Sequence, residues 1–114
     1  MDERARKLAL NEAFFRDVNE RINEQVEVWS HGARQPADYL CECSNSECTF
    51  KIELTQDEYE HVRSNGEWFA IVPDHALPEI EDVIERHDRY WVVSKRGDTG
   101  EFVALLDPRA AENN

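Results

Sequence analysis

Three cysteines lie within eight residues, at Cys41, Cys43 and Cys48, and the 114-residue chain contains no others. An odd number of thiols cannot pair completely in disulfides, and thiols clustered this closely favour metal binding. Zinc suits such a cluster, because a structural zinc site takes four tetrahedral sulfur or nitrogen ligands. The spacing therefore predicts a zinc site with three cysteine ligands and a fourth ligand from elsewhere in the chain.

The fourth ligand is expected to be a histidine, with an acidic residue or water as the fallback. We favour His75, which lies in a loop between Pro73 and Pro78, directly after an apolar run that could form a strand beside the cysteines. Two prolines would hold such a loop rigid enough to present an imidazole. The predicted site is thus Cys41, Cys43, Cys48 and His75, and the alternative histidines are His31, His61 and His87.

A structural role fits this ligand set better than a catalytic one. Three thiolates and Zn²⁺ carry a net charge of −1, which neighbouring backbone amides must stabilise. A hydrolytic site would need an open position and a base, for which Glu42 and Glu47 are close in sequence, but three thiolates activate a bound water poorly. A small metalloenzyme, a thiol-based redox switch and simple burial of the cysteines as small apolar residues remain as alternatives.

The elements around the cysteines have the alternating pattern of strands. Residues 39–43 and 49–54 predict a hairpin with the cysteine cluster at its tip, since Phe50, Ile52 and Leu54 alternate with charged residues. Thr55 and Glu58 form a capping-box sequence that predicts the start of a short helix. Residues 68–72 predict a buried strand, 89–95 a further strand, and 102–106 a last one. Residues 78–86 fit either a helix or a strand, and we favour a strand paired with 89–95.

The N-terminal segment has the periodicity of one long helix. A helix from about residue 3 to 30, capped by Gly32, would be about 40 Å long, so its first turns could project from the domain. The same face fits a heptad seam through which a second copy or a protein partner could pair, with Leu8 and Phe15 in the contact. Alternatively, its C-terminal half packs on the domain's own sheet. The apolar residues on this face are Leu8, Phe15, Val18, Ile22, Val26 and Trp29.

The charge of the chain bears on the kind of partner it can have. The net charge is −12, and residues 37–90 hold fourteen acidic residues against four basic ones, a local net charge of −10. Direct nucleic-acid binding is not expected, because it depends on clustered lysine and arginine. An acidic face could meet a basic protein partner, imitate DNA, or simply keep the chain in solution. The N-terminus lacks the apolar block of a signal peptide, and no segment approaches the roughly 20 apolar residues of a membrane span, so we expect a cytoplasmic protein.

The chain resembles a family of small uncharacterised proteins common in actinobacteria. The shared pattern is Asn-Glu-x-x-Phe-Arg-x-Val-Asn-Glu-Arg-Ile, here residues 11–22, and it continues through the three cysteines, Val72-Pro73 with His75, and residues 90–95. The resemblance supports His75 as the partner of the cysteines and implies no activity. Family members usually carry glycine where this chain has Asp74. The cysteine spacing also resembles the post-SET segment of lysine methyltransferases, in which three cysteines bind zinc with a fourth ligand from elsewhere.

Together these observations predict an α+β fold. It consists of a long N-terminal helix (1–30), a zinc-binding domain with a small, mostly antiparallel sheet and one short helix (37–106), and a disordered tail (107–114). As function we expect a cytoplasmic regulatory or protein-interaction module stabilised by zinc.

Overall fold

The structure, a computed structural model, describes residues 1–30 and 35–110, with the backbone alone for residues 27–30. Its elements confirm the predicted α+β class. Some of the sequence predictions fall outside the described residues. These are His31 as a candidate ligand, Gly32 as a helix cap, residues 111–114 of the predicted tail and the side chain of Trp29. In chain order the elements are α1 (Glu3–Ser30), β1 (Ala37–Leu40), β2 (Lys51–Leu54), α2 (Gln56–Arg63), β3 (Trp68–Ile71), β4 (Glu81–Arg86), β5 (Trp91–Lys95), α3 (Gly97–Leu105) and a 3-10 helix, Pro108–Ala110.

The strands form two small antiparallel sheets. One is the hairpin β1–β2, in which Tyr39 lies opposite Ile52. The other has the order β3-β5-β4, so the strand that is last in the chain lies in the centre. Residues 81–86 are a strand paired with β5, as the sequence analysis favoured. The cysteines fall in the connection between β1 and β2, which confirms that they lie at the tip of this hairpin.

Helix α2 begins where the capping box predicts. The Thr55 side chain accepts a hydrogen bond from the Glu58 amide, and the Glu58 carboxylate accepts one from the Thr55 amide. These two bonds satisfy backbone donors that a helix start leaves free. Tyr59 and Val62 face the core from this helix and are fully buried.

The predicted last strand, residues 102–106, is wrong, because these residues belong to helix α3 and the turn that follows it. A short apolar run does not distinguish a strand from a buried helix segment. Here the helix buries Thr99, Gly100 and Val103 against the sheet and leaves Leu105 83% exposed. Two short helices therefore accompany the sheets, where the sequence analysis expected one.

The long helix α1 buries a different face from the one its apolar residues predict. The fully buried positions include Glu12, Arg16 and Asn19, whereas Leu8 and Phe15 are only half-buried. Arg16 donates hydrogen bonds to the backbone oxygens of Gly66 and Val103, so this helix is held to the domain by buried polar contacts. Its first turns, which the sequence allowed to project, lie beside α3, where the Arg6 guanidinium is 5.8 Å from the Phe102 ring centre.

The segment after α3 is tied to α1 and α2. Asp107 is buried and pairs with Arg63, and Arg109 forms salt bridges with Glu20 and Glu60. Residues 107–110, which the sequence analysis assigned to a disordered tail, are thus an ordered part of the fold. Within the described ranges, no helix combines the length and the apolar character needed to cross a lipid bilayer.

Candidate metal centre

The four residues predicted to bind metal lie together in a cluster that could hold a metal ion. The potential ligand atoms of Cys41, Cys43, Cys48 and His75 all lie within 4.8 Å of one another. The Nδ1 atom of His75 is 3.5 Å from the Sγ atom of Cys41 and 3.8 Å from that of Cys48. In a tetrahedral zinc site with bonds of about 2.3 Å to sulfur and 2.0–2.1 Å to nitrogen, neighbouring ligand atoms lie about 3.5–3.8 Å apart. The sulfur-to-nitrogen spacing therefore suits one shared ion.

The hairpin tip brings the three sulfurs together. Cys41 directly follows β1, and its amide donates a hydrogen bond to the Phe50 oxygen just before β2, which closes the base of the loop. Within the loop, the Cys48 amide bonds to the Asn45 oxygen in a tight turn. This turn returns the chain so that Cys48 faces Cys41 and Cys43. Cys41 and Cys43 are buried, and Cys48 is half-buried.

The loop after β3 supplies the imidazole. The His75 amide donates to the Val72 oxygen, forming a turn in which Asp74 has a φ of +73°. This left-handed conformation favours glycine, although Asp and Asn adopt it more readily than most residues. The ring of Phe50 meets the His75 ring edge to face, with 5.2 Å between the ring centres, and supports its orientation.

The Cys41 sulfur receives a backbone hydrogen bond, which the Val72 amide donates at 3.2 Å. Such bonds stabilise thiolate charge, as a site with three thiolates and one divalent ion requires.

The three thiols influence one another's ionisation through hydrogen bonds and charge. Hydrogen bonding from Cys41 lowers the pKa of the Cys43 thiol to about 5, with further bonds from Cys48 and His75 in the same direction. The pKa of Cys41 is raised, because it supplies that hydrogen bond to Cys43 and because it is buried. Burial also raises the pKa of Cys48. A divalent cation would replace the shared protons and bind all three as thiolates.

Glu42 lies between two of the cysteines but points away from solvent. Its position in the sequence made it a possible catalytic base. It is instead fully buried, and its carboxylate accepts hydrogen bonds from the Asn19 side chain and from the Ala70 amide at 2.8 and 2.9 Å. The Glu42 amide in turn donates to the Ala70 oxygen. Glu42 therefore joins the cysteine loop to the edge of β3 and to α1, a role that no sequence pattern indicates.

Two of the alternative histidines lie elsewhere. His61 and His87 are both exposed, and each contacts a carboxylate oxygen of Glu85.

A shallow surface pocket of about 250 Å³ borders the cluster and is lined by Cys43, Ser44, Asn45, His75 and Leu77. A hydrogen bond from the Leu77 amide to the Glu81 carboxylate fixes the C-terminal end of the loop that carries His75. Glu81 also pairs with Lys95, a fully buried lysine that Glu12 of α1 contacts as well. Sequence reasoning missed this buried triad, because its members are distant in the chain and individually resemble surface residues.

No protein-family model, no curated protein and no solved structure matches this chain. The chemistry and geometry of the site are therefore the basis for assigning a function.

Proposed function

We propose that this chain is a small zinc protein whose ion is structural and whose role is that of a regulatory or protein-interaction module. The observation that carries the proposal is the cluster of three sulfurs and one imidazole nitrogen within 4.8 Å of one another.

The chemistry of these donors favours zinc. Thiolate and imidazole are the ligands of structural zinc sites, whereas Mg²⁺ and Ca²⁺ prefer oxygen. Iron–sulfur clusters usually take four cysteines, and the chain has three. Four protein ligands would also complete a tetrahedral shell. With no position left for water, the site suits a structural ion better than a hydrolytic one.

The position of the cluster indicates what the ion would stabilise. The cysteines belong to the β1–β2 hairpin, and His75 belongs to the loop after β3 in the other sheet. An ion bound to the cysteines and to His75 would connect the two sheets, in addition to the connection that the Glu42 hydrogen bonds provide. Because a preformed site rarely exists in an unfolded chain, the free energy of zinc binding would add to the stability of the fold.

The proposed test is metal analysis of the purified protein combined with variants of one candidate ligand. Elemental analysis should find one zinc per chain, and His75→Ala should lower zinc affinity at least tenfold in competition with a chromogenic chelator. His87→Ala is the matched control, since it removes an exposed histidine outside the cluster, and it should bind zinc as the wild type does. Absence of zinc, or equal affinity in both variants, would contradict the proposal.

A redox-sensitive site is the second candidate, and the half-buried position of Cys48 favours it. Oxidation by peroxide would join two thiolates in a disulfide, reduce the peroxide to water and release the zinc. Thiol titration distinguishes the candidates. A structural site should keep all three thiols protected until a chelator is added, whereas a redox switch should release zinc at low peroxide concentration and recover it after reduction.

The interaction role is supported by the acidic surface and by the exposed face of α1. If the module serves a basic protein, whether as a DNA mimic or otherwise, the complex should weaken as salt screens the charges. A binding assay against immobilised polylysine and a basic DNA-binding domain, at low and high ionic strength, tests this. Equal binding to both would show general attraction to cations and contradict a specific partner site.

A further inference from the structure

One face of α1 is exposed along most of its length and has a regular spacing. The residues on this face recur at alternating steps of four and three positions, as in the contact seam of a coiled coil. All seven are exposed, and the run covers roughly 32 Å of helix. We call this face the exposed stripe, and it consists of Glu3, Lys7, Leu10, Phe14, Asp17, Arg21 and Glu24.

The centre of the exposed stripe is apolar. Leu10 and Phe14 are 43% and 57% exposed and lie one turn apart. A groove of about 240 Å³ runs beside Lys7 and Leu10, and another of about 170 Å³ lies beside Phe14 and Phe15. Two adjacent large apolar side chains with grooves on either side form a surface that another helix could cover.

The charges on either side of this centre select a particular occupant. If a second copy of α1 is laid antiparallel, with Leu10 level with Phe14 of the partner subunit, Lys7 is level with Asp17 of the partner subunit. In the same register Glu3 is level with Arg21 of the partner subunit. Two-fold symmetry repeats each pairing, so four opposite-charge contacts flank a central group of two leucines and two phenylalanines.

The parallel arrangement lacks this complementarity. It would place each residue of the stripe level with its own copy, so that Lys7 faces Lys7 of the partner subunit and Asp17 faces Asp17 of the partner subunit. Like charges at such positions destabilise a helix pair. In addition, no salt bridge within the described residues involves Lys7, Asp17 or Arg21, so these side chains remain able to pair with another copy.

We propose that this protein forms a two-fold symmetric homodimer through the exposed stripe of α1, with the two helices antiparallel and Leu10 packed against Phe14 of the partner subunit. The contact differs from the seam of Leu8 and Phe15, which is half-buried within the chain itself. With two large apolar residues per copy, the dimer is weak, with a Kd of roughly 10 µM to 1 mM.

Charge reversal tests both the dimer and its direction. Lys7→Asp alone, or Asp17→Lys alone, replaces two attractive contacts by two repulsive ones and should raise the dimer Kd by roughly tenfold in sedimentation equilibrium. The double variant Lys7→Asp/Asp17→Lys restores opposite charges and should recover the wild-type Kd. Lys51→Asp and Asp38→Lys, on the exposed side of the β1–β2 hairpin, are the controls with the same changes in net charge.

Truncation of the apolar centre provides a second test. Phe14→Ala should abolish detectable dimer while leaving the melting temperature of the monomer unchanged, because the side chain is mostly exposed. Leu105→Ala removes an exposed leucine outside the stripe and should leave the dimer intact. A wild-type protein that stays monomeric to about 1 mM, or a double variant as weak as the single ones, would overturn the proposal. Zinc measured in the same samples separates this outcome from failure of the metal site.

Discussion

The Nδ1 atom of His75 lies 3.5 Å from the Sγ atom of Cys41, although 34 positions separate the two residues in sequence. Cys41 directly follows the first strand of one sheet, and His75 lies in the loop after the first strand of the other. The contact between them thus joins two parts of the fold that share no backbone ladder. The stability of the whole domain should depend on this junction.

Removal of the metal should destabilise the domain strongly. Structural zinc sites contribute apparent binding free energies of about 10–16 kcal/mol, which is comparable with the total stability of a domain of this size. We expect a chelator to lower the melting temperature of the wild type sharply, and Cys43→Ser to leave the domain unfolded. Circular dichroism melts with and without chelator measure this. His87→Ala should respond to chelator as the wild type does, and a melting temperature indifferent to chelator in the wild type would show that no structural ion is bound.

Relief of the left-handed backbone at Asp74 should stabilise the loop that presents His75. A residue other than glycine in this conformation destabilises the folded state by roughly 1 kcal/mol. Glycine avoids this strain, but part of the gain is offset because glycine gives the unfolded chain more conformational entropy. Asp74→Gly should therefore raise the free energy of unfolding by about 0.5 kcal/mol, and Asp74→Val should lower it. Urea denaturation of the zinc-loaded proteins gives both values. If Asp74→Gly were less stable than Asp74→Val, backbone strain at this position would not explain the stability of the loop.

The buried ion pair of Arg63 should matter far more than a similar pair at the surface. The Arg63 side chain is completely buried against Glu20 and Asp107, whereas Arg89 is 44% exposed where it meets Glu58. Removal of one member of a buried pair typically costs about 3–5 kcal/mol, and removal of an exposed one about 1 kcal/mol or less. Arg63→Met should show the larger loss of unfolding free energy and Arg89→Met the smaller. Equal losses would mean that Asp107 does not hold the C-terminal segment as described.

The buried triad of Glu12, Lys95 and Glu81 should make stability depend on pH. Burial raises the pKa of Glu12 well above its ordinary value of 4.5, and the charge of Lys95 offsets this only in part. The folded protein thus binds the proton of the Glu12 carboxyl group more tightly than the unfolded chain does. The stabilisation is fully present below about pH 4.5 and is lost as the pH rises through the folded-state pKa.

Glu12→Gln cannot ionise and should lack this dependence. The unfolding free energy of the variant relative to the wild type should therefore increase from pH 4.5 towards pH 8, as measured by urea denaturation across that range. Glu101→Gln, an exposed carboxyl on α3, is the control and should follow the wild-type profile. Parallel curves for wild type and Glu12→Gln would show that Glu12 is already ionised in the folded protein at low pH.

Local features were the part of this fold that could be predicted from sequence. The capping box at Thr55 and Glu58 predicts the start of α2, because its hydrogen bonds join residues three apart. The alternation around Ile52 and Leu54 predicts β2 for the same reason, since a strand has a period of two. Cys41, Cys43 and Cys48 are close in sequence and had to be close in space. The resemblance to the actinobacterial family stays a prediction.

The partners of these features were decided only by the tertiary structure. The prolines around His75 favour it over His61 and His87, but only the tertiary structure decides which loop reaches the cysteines. The buried face of α1 was mispredicted for a similar reason. Periodicity identifies where apolar residues lie, but Glu12, Arg16 and Asn19 are buried because distant groups neutralise or hydrogen-bond them: Lys95, the Gly66 and Val103 oxygens, and Glu42. Sequence thus determined the local elements and the cysteine cluster, whereas long-range pairing of polar groups determined how they are assembled.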